Sequence, residues 1–254
     1  MTTPTITGTR MRIWCAWCFV AVGLLAGPAD ASGKLTPHTA EYKVKISVVS
    51  GRLRTELQAT ESGYVARHNI KPTGMSRLFA RGEISEVSTF ANGDDGLIPQ
   101  AYQSHDSLSR DKVRADITFD WDKNEASGKV NDEEITSIME GLSYDRVSIQ
   151  YELMHDLLSD GPSDKYRLFE VDKLKTIMVR SIGEKKVRVP AGKYTAIGIQ
   201  HQAENSSRVT TLWCVKELDY LPVIIEQHRK GKLKVRATLK NYTPVHPKEL
   251  AKSD

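Results

Sequence analysis

The sequence predicts a mainly β protein, a curved antiparallel sheet or open barrel covered by one mid-chain helix. Three observations predict it. Apolar and polar residues alternate over much of the chain, the period of a half-buried strand. Gly, Asn and Asp interrupt that alternation at short intervals, as in a meander of hairpins. One segment alone, Tyr144 to Ser159, switches to a helical period. A flat open sheet of this length would leave edges and one apolar face in water, so the sheet is expected to curl or close.

The N-terminus stands apart from this pattern. Arg10 and Arg12 precede an uncharged apolar run, Ile13 to Leu25, and Ala29-Asp30-Ala31 offers small residues where a signal peptidase reads. The run is shorter than the roughly 20 residues a spanning helix needs. Residues 1–31 are therefore expected to be a cleaved export signal, which makes the expected location periplasmic. Residues 32–243 are expected to form a single β-rich domain with no transmembrane segment. Residues 244–254, rich in Pro and Lys, are expected to be a flexible tail, and 32–36 a loose start. Of the three cysteines, Cys15 and Cys18 leave with the signal. Cys214, within Thr-Leu-Trp-Cys-Val, is then single, and a buried thiol is the expectation.

The elements follow in order. Ala40, Tyr42, Val44, Ile46 and Val48 share one side of a strand, with Glu41, Lys43, Lys45 and Ser47 opposite. Ser50-Gly51 breaks it, Leu53 to Ala59 resumes it, and Glu61-Ser62-Gly63 turns into a strand from Tyr64 to Ile70. Val113 to Trp121 alternates again before the Asp122-Lys123-Asn124 turn. Residues 166–172, 174–182, 185–189, 194–203, 208–215, 222–229 and 232–242 also read as strands. Gly183-Glu184, Pro190-Ala191-Gly192-Lys193 and Arg229-Lys230-Gly231 read as the connections between some of them. Between Tyr144 and Ser159, Val147, Tyr151, Met154 and Leu158 recur at spacings of three and four, and Leu153 and Leu157 widen the stripe. Asp160-Gly161-Pro162 ends that helix. An internal echo runs through the sheet. Phe90, Leu97-Ile98-Pro99 and Lys112-Val113-Arg114-Ala115 match Trp213, Tyr220-Leu221-Pro222 and Lys234-Val235-Arg236-Ala237 in order and spacing. A duplication of this kind would build the two halves of the sheet alike.

Chemistry-bearing motifs are sparse. There is no phosphate loop, GxGxxG, GxSxG or HExxH. Ser109-Arg110-Asp111-Lys112 has the SxxK spacing of serine acyl enzymes but falls in a polar turn. His105-Asp106-Ser107 cannot face one another as a triad and also reads as a turn. Glu152 and His155 form an i, i+3 pair, as in carboxylate-bridged metal sites. With no second such helix, the pair is expected on the wet side or rim. The reading therefore names no catalytic residue, no metal ligand and no cofactor. The net charge of +4 at pH 7 is too mild, and too interspersed, for nucleic acid as a partner.

A curved sheet under one helix often leaves a concave interior, and barrel mouths are common ligand sites. The residues expected to line such a cavity are Val87, Phe90, Ile117, Phe119, Ile199, Leu212, Trp213 and Ile224. Alternation fits a filled interior and a hollow one equally.

The C-terminal block adds a resemblance. Val189-Pro190-Ala191-Gly192-Lys193-Tyr194 is followed by Leu212-Trp213, then Leu218-Asp219-Tyr220-Leu221-Pro222-Val223, then Glu226-Gln227 and Lys230-Gly231. This set resembles the exported bacterial family called domain of unknown function 3108, over most of residues 36–243. The resemblance implies a periplasmic β-rich protein and brings no reaction with it. The Trp strand followed by a Leu-Pro strand is also similar to lipoprotein carriers of the LolA type, which hold acyl chains in an open barrel.

Three functions compete at this point. The first is a non-enzymatic periplasmic protein that binds a lipid, another apolar ligand or an envelope component inside the curved sheet. The second is a structural or assembly factor that contacts an envelope protein through a sheet edge. The third is a hydrolase acting on envelope glycans through two carboxylates.

Overall fold

The structure, a computed structural model, describes residues 34–170 and 173–245. The expected export signal, and all but the first two residues of the expected tail, lie outside the described residues.

The first eight strands run in chain order. They are β1 (His38–Ile46), β2 (Val49–Ala59), β3 (Gly63–Pro72), β4 (Ile84–Gly93), β5 (Gly96–Asp106), β6 (Val113–Asp120), β7 (Glu125–Val130) and β8 (Glu133–Ile138). Helix α1 (Ser148–Leu158) follows. The chain returns through β9 (Lys165–Glu170), β10 (Lys173–Val189), β11 (Gly192–Ala203), β12 (Arg208–Val215), β13 (Leu221–Arg229) and β14 (Lys232–Pro244). All fourteen strands join one antiparallel sheet, in the order β8 to β1 and then β14 down to β9. The expected curved sheet with a single mid-chain helix is present. β8 and β9 are its two ends and do not pair, so the barrel stays open.

Curvature shows in contacts between strands far apart in the sheet. Phe119 on β6 meets Phe169 on β9 edge-on, with ring centroids 5.7 Å apart. Ala191 donates its N–H to the Leu239 carbonyl of β14 at 3.2 Å. β-bulges supply the bends, since an extra residue on one strand kinks the pair and strengthens its twist. One lies between Ser181 and Glu184. This corrects the sequence expectation of a hairpin at Gly183-Glu184. Gly183, with φ +87, is the left-handed residue of a bulge inside the single 17-residue strand β10. Bulges also follow the prolines of both echo copies. Phe90 faces Pro99 with Gln100 extra, and Cys214 faces Pro222 with Val223 extra. The counterpart of Phe90 is thus Cys214, one residue beyond the Trp213 that the echo aligned.

Two further differences have simple causes. β7 and β8 carry too few apolar residues for alternation to reveal them (Glu-Ala-Ser-Gly-Lys-Val and Glu-Glu-Ile-Thr-Ser-Ile). Leu35 is not in a loose start. It is 1% exposed, and its carbonyl accepts the Tyr64 hydroxyl at 3.1 Å.

Helix α1 starts four residues later than the pattern suggested. Asp145 Oδ1 accepts the N–H groups of Val147 (2.8 Å) and Ser148 (2.9 Å), and Ser148 Oγ accepts the Asp145 N–H at 3.0 Å. This reciprocal pair is a capping box, which satisfies amides that the first helical turn leaves without partners. Tyr151 and Met154 then point into the main core. Tyr151 sits 5.6 Å from Phe90 and 5.9 Å from His68, ring centre to ring centre.

Candidate functional site

Helix α1 meets the two halves of the sheet through different chemistry. Toward β4 and β5 the contact is polar and closed. Asp145, fully buried, accepts the hydroxyls of Ser88 on β4 (2.6 Å) and Ser148 (2.7 Å) in addition to its two amides. Burial pushes its carboxyl pKa up, against those hydrogen bonds. Arg146 reaches Glu86 of β4 at 2.6 Å, and the Tyr102 hydroxyl of β5 donates to the same carboxylate oxygen at 2.6 Å.

Glu152 is 3% exposed, so the expected wet-side position is corrected. Its carboxylate accepts the Leu97 N–H at 2.7 Å and the Tyr144 hydroxyl at 2.8 Å. Burial raises its pKa, and these two donors oppose the rise. Gly96 makes the approach possible. A Cβ there would lie 2.4 Å from Glu152 Oε1, and the Gly96 φ of +141 disfavours any side chain. Among the described residues, Glu152, His155 and Asp156 form one group of potential metal ligands. Two of its members are already engaged, Glu152 as above and Asp156 by the Tyr166 hydroxyl at 2.5 Å.

Toward β9–β13 the contact, apart from that Tyr166–Asp156 hydrogen bond, is apolar and open. A cavity of about 340 Å³ lies between α1 and the sheet. Cross-strand registers build its floor as rungs. Ile177 faces Ala203; Val179 faces His201, which faces Thr210, which faces Gln227; Leu212 faces Ile225. Ile149, Gln150 and Leu153 of α1 form the roof, and Tyr166 and Leu168 of β9 the side wall. Arg146 also lines the cavity, its guanidinium paired with Glu86, and the other polar groups of the floor, His201, Thr210 and Gln227, are uncharged. Burial lowers the His201 pKa to about 4, which leaves a neutral imidazole at pH 7. Gln150 Nε2 is buried with no hydrogen-bond partner. At the mouth stand Lys175, Arg208, Ser206 and Glu170.

Of the residues expected to line a cavity, the structure places Leu212 in this wall. Ile199 packs with Leu212 in the same apolar cluster. Phe90, Ile117 and Phe119 lie in the filled main core instead. Val87 does not face the interior. It stands between Arg67 and Gln103 on the opposite face from the buried Glu86 and Ser88. Trp213 and Ile224 face each other one residue out of phase with Leu212 and Ile225, so they occupy the other side of the sheet. There the Trp213 ring covers Gly198, and Lys185 Nζ lies 3.5 Å above it. β12 is buried on both faces, so alternation alone could not say which set faces the helix. Sequence reasoning missed Ile177, Val179, His201 and Ile225 because only strand register brings them together.

Cys214 is buried with a free thiol, and burial pushes its pKa up. The SxxK and His-Asp-Ser segments lie in the β5–β6 connection, where Asp106 Oδ1 accepts the N–H groups of Leu108 and Ser109. Both are turn chemistry.

Comparison with known proteins now adds a family. A family described as "Protein of unknown function (DUF3108)" matches residues 39–238. The chain belongs to that family. Among solved structures it is similar to a β-barrel-like protein of the domain of unknown function DUF1849 from Brucella abortus. That match has a TM-score of 0.57 and 14% identity, and covers 84% of this chain and 99% of the other. At this identity the likeness shows the fold alone. No curated protein matches the chain.

Proposed function

We propose that the protein is an exported, non-enzymatic binder of an apolar or amphiphilic ligand, held between α1 and strands β9–β13. The observation that carries this reading is the cavity itself. It is walled by Ile177, Val179, Leu212 and Ile225, roofed by Ile149 and Leu153, and holds one unpartnered amide. A 150 Å³ apolar cavity accepts benzene. On that scale 340 Å³ accommodates an acyl or prenyl segment of roughly a dozen carbons. Gln150 Nε2 offers a donor to an ester, carboxyl or hydroxyl oxygen, and a buried donor gains most from such a partner. The N-terminal export pattern supports a periplasmic setting.

The competing readings have less behind them. The three carboxylates buried among the described residues, Asp145, Glu152 and Glu86, are each committed to donors that hold the helix. The edge of β9 is already bonded by Tyr144, and β8 begins with Glu133 and Glu134, charges that discourage strand addition.

The test is mass spectrometry, under native conditions, of the chain as isolated from cells. A retained amphiphile of lipid mass is expected. Val179→Phe, which projects a ring into the cavity, should abolish retention and leave the fold intact. A chain that carries no such mass and takes up no fluorescent fatty acid would overturn the reading.

A further inference from the structure

A meander sends alternate connections to opposite ends of its sheet, and here the two ends differ in character. The β1–β2, β3–β4, β5–β6 and β13–β14 connections share one end. Its exposed apolar residues are large. Phe79 is 85% exposed, Met75 73% and Leu78 63%, all within or just after the 3₁₀ turn Gly74–Leu78. Val48, at the tip of the β1–β2 hairpin, is 93% exposed. The turn is pinned to that hairpin. Thr73 donates its N–H to the Ser50 carbonyl at 2.9 Å, and Ser50 donates its own to Ser76 Oγ at 2.8 Å. The apolar side chains are therefore held out by a built support. Surface patches of this kind mark interaction sites.

The charge around the patch says what it meets. Arg77, Arg81, Arg110, Lys112, Lys230 and Lys232 stand exposed at this end, and none enters an ion pair among the described residues. Its acids are fewer. Glu83 is neutralised by Lys71 at 2.8 Å and Glu134 by Lys129 at 3.1 Å, Asp106 is capped by backbone amides, and Asp111, Asp132, Glu133 and Glu204 remain among the described residues. The opposite end has more acids than bases, with Glu61, Asp94, Asp95, Asp122, Asp160 and Glu217 exposed in its connections against Lys123 and Lys216, and Lys123 is itself paired with Asp120 at 2.7 Å. Large apolar side chains flanked by bases bind a membrane interface by burying the former among headgroups and pairing the latter with lipid phosphates. A charge gradient along the strands turns the basic end toward a negative surface.

We propose that this end docks on an anionic lipid membrane, with Phe79, Leu78, Met75 and Val48 entering the headgroup layer. Ser206 in the β11–β12 connection and Arg208 at the start of β12, both at the cavity mouth, lie at the same end, so the docked orientation presents the mouth to the lipid. The docking surface stands on the rim alone and does not need the cavity to be occupied.

Vesicle co-sedimentation tests it, with the chain as isolated from cells and all variants sharing its N-terminus. Binding should be strong to vesicles of phosphatidylcholine mixed with phosphatidylglycerol, weak to phosphatidylcholine alone, and reduced by salt. Phe79→Asp should weaken it roughly tenfold, and so should Arg77→Glu combined with Arg81→Glu. Asp94→Lys at the far end should leave it unchanged. All these positions are exposed, so the melting temperature serves as the check that folding is intact. Equal binding to both vesicle types, or full binding by Phe79→Asp, overturns the proposal. So does crosslinking from this rim that recovers a protein in place of lipid. Phe79→Asp should keep any cavity ligand, and Val179→Phe should keep vesicle binding, so the two readings fail separately.

Discussion

The two sides of helix α1 are held to the sheet in opposite ways. On the side of β4 and β5, Asp145, Arg146 and Glu152 end in saturated hydrogen bonds, and Tyr151 fills the space among Phe90, His68 and His38. On the side of β9–β13, aliphatic rungs face Ile149 and Leu153 across a cavity of about 340 Å³. The first contact is directional and leaves little room for rearrangement. The second has one directional tie, the Tyr166 hydroxyl on Asp156, and otherwise gains from contact area, which can come from the helix or from a guest. The difference teaches that the helix is a fixed roof: most of its directional bonds lie on one side, which lets the other remain hollow.

Removing the anchor should have the largest effect. Asp145→Ala strands the hydroxyl of Ser88 and the amides of Val147 and Ser148 in a buried setting. Unsatisfied buried donors cost about 1–3 kcal/mol each, and partial rearrangement brings the total to about 3–5 kcal/mol. Urea denaturation measures this loss. Hydrogen exchange should show α1 losing protection ahead of the strands. The mirror substitution on the hollow side, Gln150→Ala, removes an amide that has no partner and should leave stability within about 0.5 kcal/mol. A large loss there would show that Gln150 is an anchor too and would dissolve the contrast.

Packing changes sharpen the contrast at a smaller scale. Ala66 is fully buried in the filled core, and Ala66→Leu should cost about 1–3 kcal/mol by overpacking. Val179→Phe adds comparable volume on the cavity floor and should cost less than about 1 kcal/mol, because the space is already there. Equal penalties for the two would mean that the floor closes in solution.

How much of this was legible in the sequence depends on what each residue's role required. The inward set Ala40, Tyr42 and Val44 follows from alternation alone, because one face of β1 is wet. The helix was legible because Val147, Tyr151 and Met154 repeat at its period. Alternation fails where both faces are covered: the last residues of β12, Thr210 through Val215, are all buried. There only the cross-strand register, Leu212 against Ile225 and Trp213 against Ile224, tells which residue faces the helix. Glu152 was misplaced because a carboxylate on a helix ordinarily faces water. Its partner is the amide of Leu97, 55 residues away, and only the missing side chain of Gly96 lets the two meet. Val87 has the same composition signal as a lining residue, but Arg67 and Gln103 beside it show which side its strand gives to solvent.

The smallest effect expected concerns acid, and it separates the two sides by their titrating groups. His201, on the cavity floor, has its pKa lowered by burial to about 4 from an ordinary value of 6.5. As pH falls through 6.5 the unfolded chain takes up this proton first, so the folded state loses the contribution progressively between pH 6.5 and pH 4. His68, on the filled side, is lowered to about 4 as well, by burial against the attraction of Glu86. Asp145 and Glu152 act in the opposite direction. Burial raises their pKa, so the folded state holds their protons to higher pH than the unfolded chain does, and acid favours it. The bulk acid profile mixes these terms, but a difference profile isolates one. His201→Gln should lose less stability than the parent chain between pH 7 and pH 4, by on the order of 1–3 kcal/mol. Urea denaturation at the two pH values measures it. A bound amphiphile that keeps water from His201 should enlarge the difference, and delipidated protein should shrink it, because water reaching an empty floor restores part of the imidazole's hydration.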